Sequence, residues 1–453
     1  MSSNYICDNL KWIGSVPTHW KVIKLRQILK PIGEKNHPEM PLLSVVRERG
    51  VIVRNTKDRE ENHNYIPDNL SGYKLVKSGQ FVVNKMKAWQ GSYGVSKLDG
   101  IVSPAYFVFD INYELNKDFF NQAIRSKAYV SYFGQASDGI RVGQWDLSVI
   151  RMKEIPFLLP SRTVQNQIVR FLDWKASSIN KMINVKRKKI RELEALKQSM
   201  VSSAVTQGLA PNAPKKYSGV KWIGDIPAHW VTVKLRKILN PVNTKNRPDL
   251  PLLSVVRARG VILRDVEDKE ANHNYIPDDL SGYKVVKQGQ FVMNKMKAWQ
   301  GSYGISGYTG IVSPAYFIFE VAFDNLEYFH YAIRSKIYVN FFAQASDGIR
   351  VGQWDLQMDR MKEIPFIEPP ADEQIAIVNY IKQMLPKYED AIEKLTMEVD
   401  VLEEYKAKLV ADIVTGKIDI RGIEIPEYEF VEENTDEESE RDTDSVEGGT
   451  DEE

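Results

Sequence analysis

The sequence has few of the residues that build disulfide frameworks and metal sites. Its 453 residues include one cysteine, Cys7, and six histidines. A single cysteine excludes an intramolecular disulfide framework and a cysteine-based zinc site, and it fits a reducing compartment. There is no basic N-terminal region followed by an apolar run, and no stretch of about 18 apolar residues. We therefore expect no signal peptide, no membrane span and a cytoplasmic location.

Catalytic signatures are equally scarce. The sequence contains no GxxxxGK[ST] loop, no GxGxxG fingerprint, no HExxH motif and no [DN]PP[YF] motif of amino-methyltransferases. His63 and His273 stand in two NHNYIPD segments, where a structural role is expected more than that of a ligand or a base. A nuclease-like carboxylate pattern around Asp68 and Glu154 lacks a lysine at useful spacing. We expect a chain that is not an enzyme by itself.

The net charge of +1 hides two opposite parts. Residues 424–453 contain 15 acidic residues and one basic residue, a net charge of −14, whereas residues 1–423 carry +15. A basic body suggests a polyanionic partner. The acidic tail has little to bury, so we expect it to be disordered and to act as a solvating appendage. The alternative is that the tail competes intramolecularly for the surface that binds the polyanion.

The chain is an almost complete internal duplication with a period of about 210 residues. Residues 42–109 and 252–319 differ at 16 of 68 positions, so 52 are identical. The period is too long for a solenoid repeat of 20 to 50 residues, so each copy is a whole domain. A core tolerates volume-conserving changes, yet the identity extends to arginine, lysine, asparagine and glutamine. This pattern suggests that both copies face the same chemical object.

Each copy combines short strand-like runs with helices and ends in a long amphipathic helix. Runs such as LLSVV and IVSPAYFVF, separated by glycine and asparagine or aspartate, predict strands joined by turns. Apolar residues then recur at alternating steps of three and four from Val378 to Ile413, and the same seam lies 209 residues earlier. Pro386 is expected to kink or interrupt the second helix.

A helix with one apolar stripe needs a partner, and we expect the two long helices to pack on each other. Two independently homodimerising helices are the alternative. The predicted fold class is α+β: two tandem mixed α/β domains separated by an antiparallel coiled coil, with pseudo-two-fold symmetry. The predicted divisions are a first domain with its opening segment at 1–162, a helix at 163–207, a linker at 208–220, a second domain at 221–371, a helix at 372–415 and a C-terminal segment at 416–453.

Three polar segments in each copy carry residue types that bind nucleic acid. Arginine and lysine pair with phosphates, asparagine and glutamine pair with adenine, and glycine allows close backbone approach. One such segment is typical of solvated surface, and Trp89 fits a buried structural role equally well, but three segments together predict DNA binding. The candidates are Arg47, Arg49, Asn84, Lys85, Lys87, Trp89, Gln90, Ser137, Arg141 and Gln144 in the first copy, and Arg257, Arg259, Asn294, Lys295, Lys297, Trp299, Gln300, Ser346, Arg350 and Gln353 in the second.

The chain resembles the specificity subunits of type I restriction-modification systems over essentially all of its length up to about residue 423. The carriers are the WIGxxPxxW motifs at 12–20 and 222–230, MKEIPF at 152–157 and 361–366, EQIAIV at 373–378, and the long helix after each domain. The resemblance implies two target recognition domains, each reading one half of an interrupted double-stranded DNA site. It also implies two methyltransferase subunits and restriction/translocase subunits as partners, which would bind S-adenosylmethionine, ATP and Mg²⁺, with no cofactor in this chain.

Three features depart from the family pattern. Val164 stands in the first copy where the second has Glu373, the acidic tail is not part of the pattern, and the two domains are nearly identical although the family usually carries divergent ones. Near-identical domains related by a two-fold axis would read the same half-site in inverted orientation, which predicts an interrupted palindrome.

Alternatives remain open for the function and for the opening motifs. A stand-alone two-domain DNA-binding regulator and an enzyme with an unrecognised site are the competing functions. The tryptophans of the WIGxxPxxW motifs are candidates for partner docking, with a packed hairpin at the domain base as the alternative. These tryptophans are Trp12, Trp20, Trp222 and Trp230.

Overall fold

The computed structural model describes residues 5–6, 16–47, 49–54, 66–141, 144–257, 259–265, 276–277, 279–350 and 353–433, with the backbone alone at 5–6, 140–141, 144, 349–350 and 353. The chain forms two compact units. Unit 1 combines the chain before residue 186 with the segment from residue 397 to the last described residue, and unit 2 includes residues 186–396. Each unit therefore contains one globular domain and one half of each long helix.

The globular part of unit 1 is built from short antiparallel strands and four short helices. Its strands are β1 Tyr5–Ile6, β2 Val16–Pro17, β3 Lys21–Lys24, β4 Leu29–Ile32, β5 Leu43–Val46, β6 Gly50–Val53, β7 Lys74–Val76, β8 Phe81–Asn84, β9 Tyr93–Val95, β10 Gly100–Val102, β11 Tyr106–Ile111, β12 Ser137–Arg141, β13 Gln144–Leu147 and β14 Pro156–Leu159. Its helices are α1 Leu25–Ile28, α2 Lys117–Ile124, α3 Lys127–Gln135, α4 Val149–Lys153 and the first part of the long helix α5, Arg162–Gln207. The central sheet has the order β4-β11-β8-β9, and the other strands pair as β1-β2, β5-β6, β7-β10, β12-β13 and β3-β14.

Unit 2 repeats this arrangement with small changes. Its strands are β15 Lys215–Tyr217, β16 Asp225–Pro227, β17 Val231–Lys234, β18 Leu239–Val242, β19 Leu253–Val256, β20 Gly260–Leu263, β21 Lys284–Val286, β22 Phe291–Asn294, β23 Tyr303–Ile305, β24 Gly310–Val312, β25 Tyr316–Val321, β26 Ser346–Arg350, β27 Gln353–Leu356 and β28 Pro365–Glu368. Its helices are α6 Leu326–Ile333, α7 Lys336–Gln344, α8 Met358–Lys362 and the first part of the long helix α9, Ala371–Val414. The sheet order β18-β25-β22-β23 and the strand pairs match those of unit 1. Short 3-10 helices lie at Ala88–Gln90, Leu235–Lys237 and Ala298–Gln300.

Aromatic side chains hold the short helices against the central sheet in unit 1. Asn116 caps the start of α2 by accepting hydrogen bonds from the backbone N–H groups of Asp118 and Phe119. This start directs Phe120 into the core, where its ring lies 5.4 Å from Phe81 and 5.1 Å from Phe157. Such ring pairs add about 0.5–1.5 kcal/mol beyond the burial of their area. The sheet therefore offers a rigid base for the loops that follow its strands.

The two long helices run antiparallel within each unit. In unit 1, Ile179 and Ile183 of α5 are buried with Val399 of α9, while Leu172 near the start of α5 shares a core with Ile413 near the end of α9. Residue numbers thus rise along α5 as they fall along α9. In unit 2, Lys197 Nζ lies 3.7 Å from Glu389 Oε1, and Ala204 shares a core with Ile377 and Ile381. The α+β fold and the antiparallel helix pair predicted from the seam are confirmed.

The long helices differ from expectation at one point. The helix α9 has 44 residues and continues through Pro386, so the predicted interruption is absent. Proline removes one backbone donor, but the neighbouring turns supply the rest of the hydrogen-bond ladder. None of the described helices is both long and apolar enough to cross a membrane.

The core of each domain is completed by the end of a long helix. Ile413, Val414 and the following Ile420 are buried with Trp20 in unit 1, and Ala204 and Val205 with Trp230 in unit 2. Both helices are followed by a glycine in the left-handed region that touches the opening motif. A Cβ at Gly208 (φ +71°) would meet the Trp230 ring at 3.0 Å, and one at Gly416 (φ +75°) would meet Pro17 at 2.6 Å.

This packing corrects the assignment of two tryptophans to a docking surface. Trp20 is 6% exposed and Trp230 is fully buried, so their rings pack the domain bases, which is the hairpin alternative stated above. Trp222 is 57% exposed and remains a candidate for partner contact. Trp12, like Cys7, His63, His273 and residues 434–453 of the acidic tail, lies outside the described residues.

The two copies differ at the equivalent positions Val164 and Glu373, and these two residues make different contacts. Glu373, in the first turn of α9, accepts a hydrogen bond from Trp230 Nε1 at 2.9 Å and pairs with His229. The first copy has instead Val164, which packs against the apolar core. A carboxylate at a helix N-terminus is also favoured by the helix dipole. The second helix therefore gains a polar link to the base of its domain.

Replacing Glu373 with the residue of the first copy should destabilise unit 2. Glu373→Val leaves the buried Trp230 N–H unpaired, which costs about 1–3 kcal/mol. We expect a thermal midpoint lowered by a few degrees and faster hydrogen exchange in residues 226–234, while Glu373→Gln, which keeps an acceptor, retains most of the stability. Unchanged exchange in Glu373→Val would show that the link contributes nothing.

A second difference between the copies predicts an acid-sensitive site in unit 2. The Ile305 N–H donates to His330 Nδ1 at 3.3 Å, whereas in unit 1 the Val95 N–H donates to Asn121 Oδ1 at 2.9 Å. Burial, with a smaller effect of the Arg334 charge, lowers the pKa of His330 from 6.5 to about 4. Because the folded pKa lies below the unfolded value, the stabilisation is present above pH 6.5 and is lost as pH falls toward 4.

His330→Asn, which installs the residue of the first copy, should remove this dependence. Between pH 7 and pH 4.5 the unmodified chain should lose about 2 kcal/mol of stability that the variant does not lose. Thermal unfolding of both chains at the two pH values measures the difference. Equal losses in the two chains would show that folding does not lower the pKa of His330.

Candidate nucleic-acid interface

Two of the polar segments meet through stacked tryptophans. The first segment follows β8 and forms the 3-10 helix Ala88–Gln90, and the second is the hairpin of β12 and β13. The ring of Trp89 stacks on that of Trp145 with centroids 5.4 Å apart, and Trp299 stacks on Trp354 at 5.3 Å. The hairpin is therefore fixed to the end of the central sheet in the same way in both units.

An ion pair and a backbone hydrogen bond strengthen this junction. Lys85 Nζ lies 2.9 Å from Asp146 Oδ2, and the backbone N–H of Leu147 donates to the carbonyl of Lys85 at 3.2 Å. In unit 2, Lys295 Nζ lies 2.7 Å from Asp355. Partly exposed ion pairs contribute at most about 1 kcal/mol, so the pair serves mainly to orient the hairpin. Lys85 and Lys295 therefore each form an ion pair with an aspartate of their own domain.

A half-buried arginine, Arg125, places the third segment, the turn at residues 47–50, next to the other two. Arg125 Nη2 donates to the carbonyl of Arg47 at 2.7 Å. Gly50 has φ +73°, and a Cβ there would lie 2.3 Å from Arg125 Nη1, so this position requires glycine. Arg47 Cγ lies 4.0 Å from the Cβ position of Gly91, which follows the 3-10 helix. The three segments thus form one surface.

Unit 2 has the same support for its turn. Arg334 Nη2 donates to the carbonyl of Arg257 at 2.7 Å, and Nη1 donates to the carbonyl of Tyr303 at 2.5 Å. Burial lowers the pKa of the Arg334 guanidinium, but an arginine remains charged in proteins. The charge is held by backbone carbonyls below the turn, so Arg125 and Arg334 position the turns rather than face a ligand.

Polar atoms remain without partners beneath this surface. Among the described residues, the indole N–H groups of Trp89 and Trp299 and the hydroxyl groups of Tyr93 and Tyr303 are buried with no hydrogen-bond partner. Burial also raises the pKa of both tyrosines, so the hydroxyls stay protonated. An unpaired buried donor costs about 1–3 kcal/mol. The same atoms are unpaired in both copies. The buried groups without hydrogen-bond partners are therefore a feature of the site and not of one copy.

The most accessible candidates are cations. Arg47, Arg49 and Lys87 are exposed in unit 1, and Arg257 and Arg259 are exposed in unit 2. The half-buried candidates are Trp89, Gln90, Lys297, Trp299 and Gln300. The strands that carry Arg141, Gln144, Arg350 and Gln353 are part of the hairpins, while the side chains of these residues lie outside the description.

Two pairs of candidates have structural roles instead. Asn84 Oδ1 accepts from the Met86 N–H at 3.1 Å and its amide donates to the Tyr106 hydroxyl at 3.3 Å, and Asn294 makes the same bonds. The hydroxyl of Ser137 is buried and donates to the Phe133 carbonyl at 2.8 Å, as does that of Ser346 to Phe342. The sequence-based assignment of these four residues to DNA contact is therefore corrected.

The site also contains residues that sequence reasoning missed. Trp145 and Trp354 form the other halves of the tryptophan stacks, and Arg125 and Arg334 support the turns. A signal existed for both sets, because the tryptophans lie in the duplicated QASDGIRVGQWDL segment and the arginines in a duplicated AIRSK segment at 123–127 and 332–336. Among the described residues, no group of histidine, cysteine, aspartate or glutamate could hold a metal ion.

The chain is similar over its length to a protein of known type. No family model matches it. A protein named as a type I restriction enzyme MjaX specificity subunit, from Methanocaldococcus jannaschii, is 22% identical over 440 residues, which cover 90% of this chain and 96% of the relative.

One of the matching solved structures shares the fold of this chain. A chain from a structure concerned with complex assembly and conformational transition of a type I R-M system matches with a TM-score of 0.58 at 13% identity, over 89% of this chain and 99% of the other. The HsdS subunit from Thermoanaerobacter tengcongensis matches with a TM-score of 0.40 at 14% identity, over 89% of this chain and 98% of the other. Over most of its length the chain is therefore similar in sequence to a type I restriction enzyme specificity subunit, and it shares its fold with a chain of a type I R-M system.

Proposed function

We propose that the chain is the non-catalytic DNA-reading subunit of a type I restriction-modification complex and that it directs methyltransferase and restriction subunits to an interrupted palindromic site. The observation that carries this proposal is the convergence of three polar segments on one surface in each unit, with exposed arginines at the turn of residues 47–50 and its copy. A surface of this composition suits the phosphates and base edges of duplex DNA.

The geometry suggests a division of labour within each reading surface. The exposed cations Arg47, Arg49 and Lys87 suit phosphates, which set affinity and salt dependence. The two-stranded hairpin β12–β13 has the dimensions of an element that enters the major groove, where base edges are distinguishable. The Trp89–Trp145 stack holds the hairpin at its base. The hairpin would therefore keep a fixed position relative to the cations that contact phosphates.

The duplication specifies the form of the target. The reading segments are nearly the same in both copies, so both domains should prefer the same half-site. Each unit uses the start of one long helix and the end of the other, and the helices run antiparallel. We infer that the target is an inverted repeat of one half-site with a non-specific spacer, as the duplication and the antiparallel helices predict.

Exposed apolar residues on the long helix α9 favour an assembled complex over a stand-alone regulator. Met397, Val401 and Tyr405 follow each other at intervals of four residues, and each is more than half exposed. Residues at this spacing form one stripe on a helix, and such stripes mark protein–protein contact. We assign the stripe, with Trp222, to methyltransferase subunits, which would supply S-adenosylmethionine chemistry; ATP and Mg²⁺ would belong to restriction subunits.

Mapping of methylated adenines in cells that express the chain with its partner subunits tests the proposal. We expect one recognition sequence, made of two identical half-sites in inverted orientation around a fixed spacer. The reason is that one reading surface occurs twice. Two unrelated halves would contradict the shared specificity, and a direct repeat would contradict the antiparallel arrangement.

Neutralising equivalent arginines should have equivalent effects. Arg49→Gln and Arg259→Gln each remove one exposed cation, so each should weaken binding of the target duplex several-fold near 0.15 M salt and reduce the salt slope by about 1. Titrations of the assembled complex at several salt concentrations measure both quantities. Lys394→Gln on α9 is the charge-matched control and should change neither. An effect of one arginine without the other would argue against equal use of the two surfaces.

A further inference from the structure

The helix α5 differs from its copy α9 most strongly in charge near its middle. Residues 186–191 read KRKKIR, whereas the matching residues 395–400 read LTMEVD. The first segment carries a charge of +5 and the second −2. Packing of the two helices on each other, and DNA binding by two similar domains, would require similar residues in both helices. The basic segment Lys186–Arg191 therefore serves something that occurs once in the chain.

The C-terminal segment after α9 also occurs once, and α5 holds it just before the basic segment. Asn180 Nδ2 donates to the Val431 carbonyl at 2.9 Å, and Asn184 Nδ2 donates to the Glu432 carbonyl at 2.9 Å. The Val431 N–H donates to Ser177 Oγ at 3.3 Å. The matching residues of α9 are Pro386, Glu389 and Glu393. The face of α5 that binds this segment is thus absent from the second copy.

A partly buried ion pair fixes the last described residue. Lys406 of α9 pairs with Glu433 and also donates to Asn180 Oδ1 at 3.0 Å. Asn184, which holds the neighbouring Glu432, precedes Lys186 by two residues on the same helix. At 1.5 Å per residue, the basic segment occupies the next 10 Å or so of α5. The described part of the C-terminal segment therefore ends next to the turn of α5 that precedes the basic segment.

The sequence of that remaining chain complements the basic segment. Residues 434–453 contain ten acidic residues and one basic residue, a net charge of −9. Twenty residues reach up to about 65 Å when extended, several times the length of the basic segment. A tail of this reach can bring its carboxylates to within roughly 10 Å of the basic segment, which is the screening length at 0.1 M salt.

We propose that the acidic tail, residues 434–453, is an intramolecular ligand of the basic helix segment Lys186–Arg191 and competes there with the phosphates of duplex DNA. The contact between tail and helix is inferred from the attachment of residues 431–433 to α5 and from the opposite charges of the two segments. The competition with DNA rests on the proposed function. Phosphate contacts outside the reading surfaces raise affinity for every sequence equally. The tail would thus suppress non-specific binding and leave the target to be selected by the two domains.

Binding of the tail in trans tests the contact independently of DNA. A chain ending at residue 433 keeps the anchored segment, and a labelled peptide of residues 434–453 is titrated into it at 50 mM salt. We expect saturable binding that weakens as salt rises. Lys188→Gln, Lys189→Gln and Arg191→Gln together should reduce the affinity about tenfold or more, since they remove three charges.

The control for this experiment changes the same charge elsewhere. Lys387→Gln, Lys394→Gln and Lys408→Gln remove three exposed cations from α9 and should leave peptide binding nearly unchanged. No peptide binding, or equal weakening by the α9 substitutions, would overturn the contact.

Binding of a duplex without the target sequence tests the competition. At 50 mM salt the chain ending at residue 433 should bind this duplex several-fold more tightly than the full chain, and the gain should shrink at 200 mM salt. When Lys188, Lys189 and Arg191 are all replaced by glutamine, truncation at residue 433 should not tighten binding of this duplex. The competition would be overturned if truncation tightened binding equally in that variant, or if it did not tighten binding in the chain with the natural α5. If no form of the chain, with or without partners, binds any duplex, the proposed function fails while the peptide result still decides the contact.

Discussion

The structure depends on one packing constraint: the end of a long helix closes the core of each domain. Ile413 and Val414 are buried in the core of unit 1, and Ala204 and Val205 in that of unit 2. Each helix thus starts in one core and ends in the other. Buried aliphatic side chains are worth about 1.5–3 kcal/mol each, so neither helix can leave its seam without exposing a domain base. The antiparallel pairing and the tryptophans of the opening motifs follow from this arrangement.

The surface formed by the three polar segments, which we propose reads DNA, is the same in both copies in geometry as well as in sequence. The tryptophan stacks, the lysine–aspartate pairs and the arginines beneath the turns recur with nearly the same distances. The copies differ instead at supporting positions, where Glu373 replaces a valine and His330 an asparagine. The reading surface has therefore changed less than the residues that stabilise it, which fits a shared ligand.

The regular spacing of apolar residues and the duplication made most of the fold predictable. The errors concern single residues, to which no regular spacing applies. The helical seams and the duplication have regular spacing, so they predicted two domains and an antiparallel helix pair. Asn84 and Ser137, at the ends of β8 and β12, were misassigned because such polar side chains satisfy nearby backbone groups as readily as they bind ligands. Pro386 was expected to kink or interrupt α9, but the helix is continuous from Ala371 to Val414. The attachment of residues 431–433 to α5 left no periodic signal, since isolated side-chain amides make it.

The central claim is that one reader is used twice. Replacing residues 25–155 with residues 235–364 gives a chain with the second reading domain in both positions, joined at equivalent buried residues, Leu25 with Leu235 and Ile155 with Ile364. Expressed with the partner subunits, this chain should direct methylation to the same sequence as the natural chain, with both half-sites and the spacer unchanged. A changed half-site in the methylation map would contradict the account, because it would show that the two domains read different sequences.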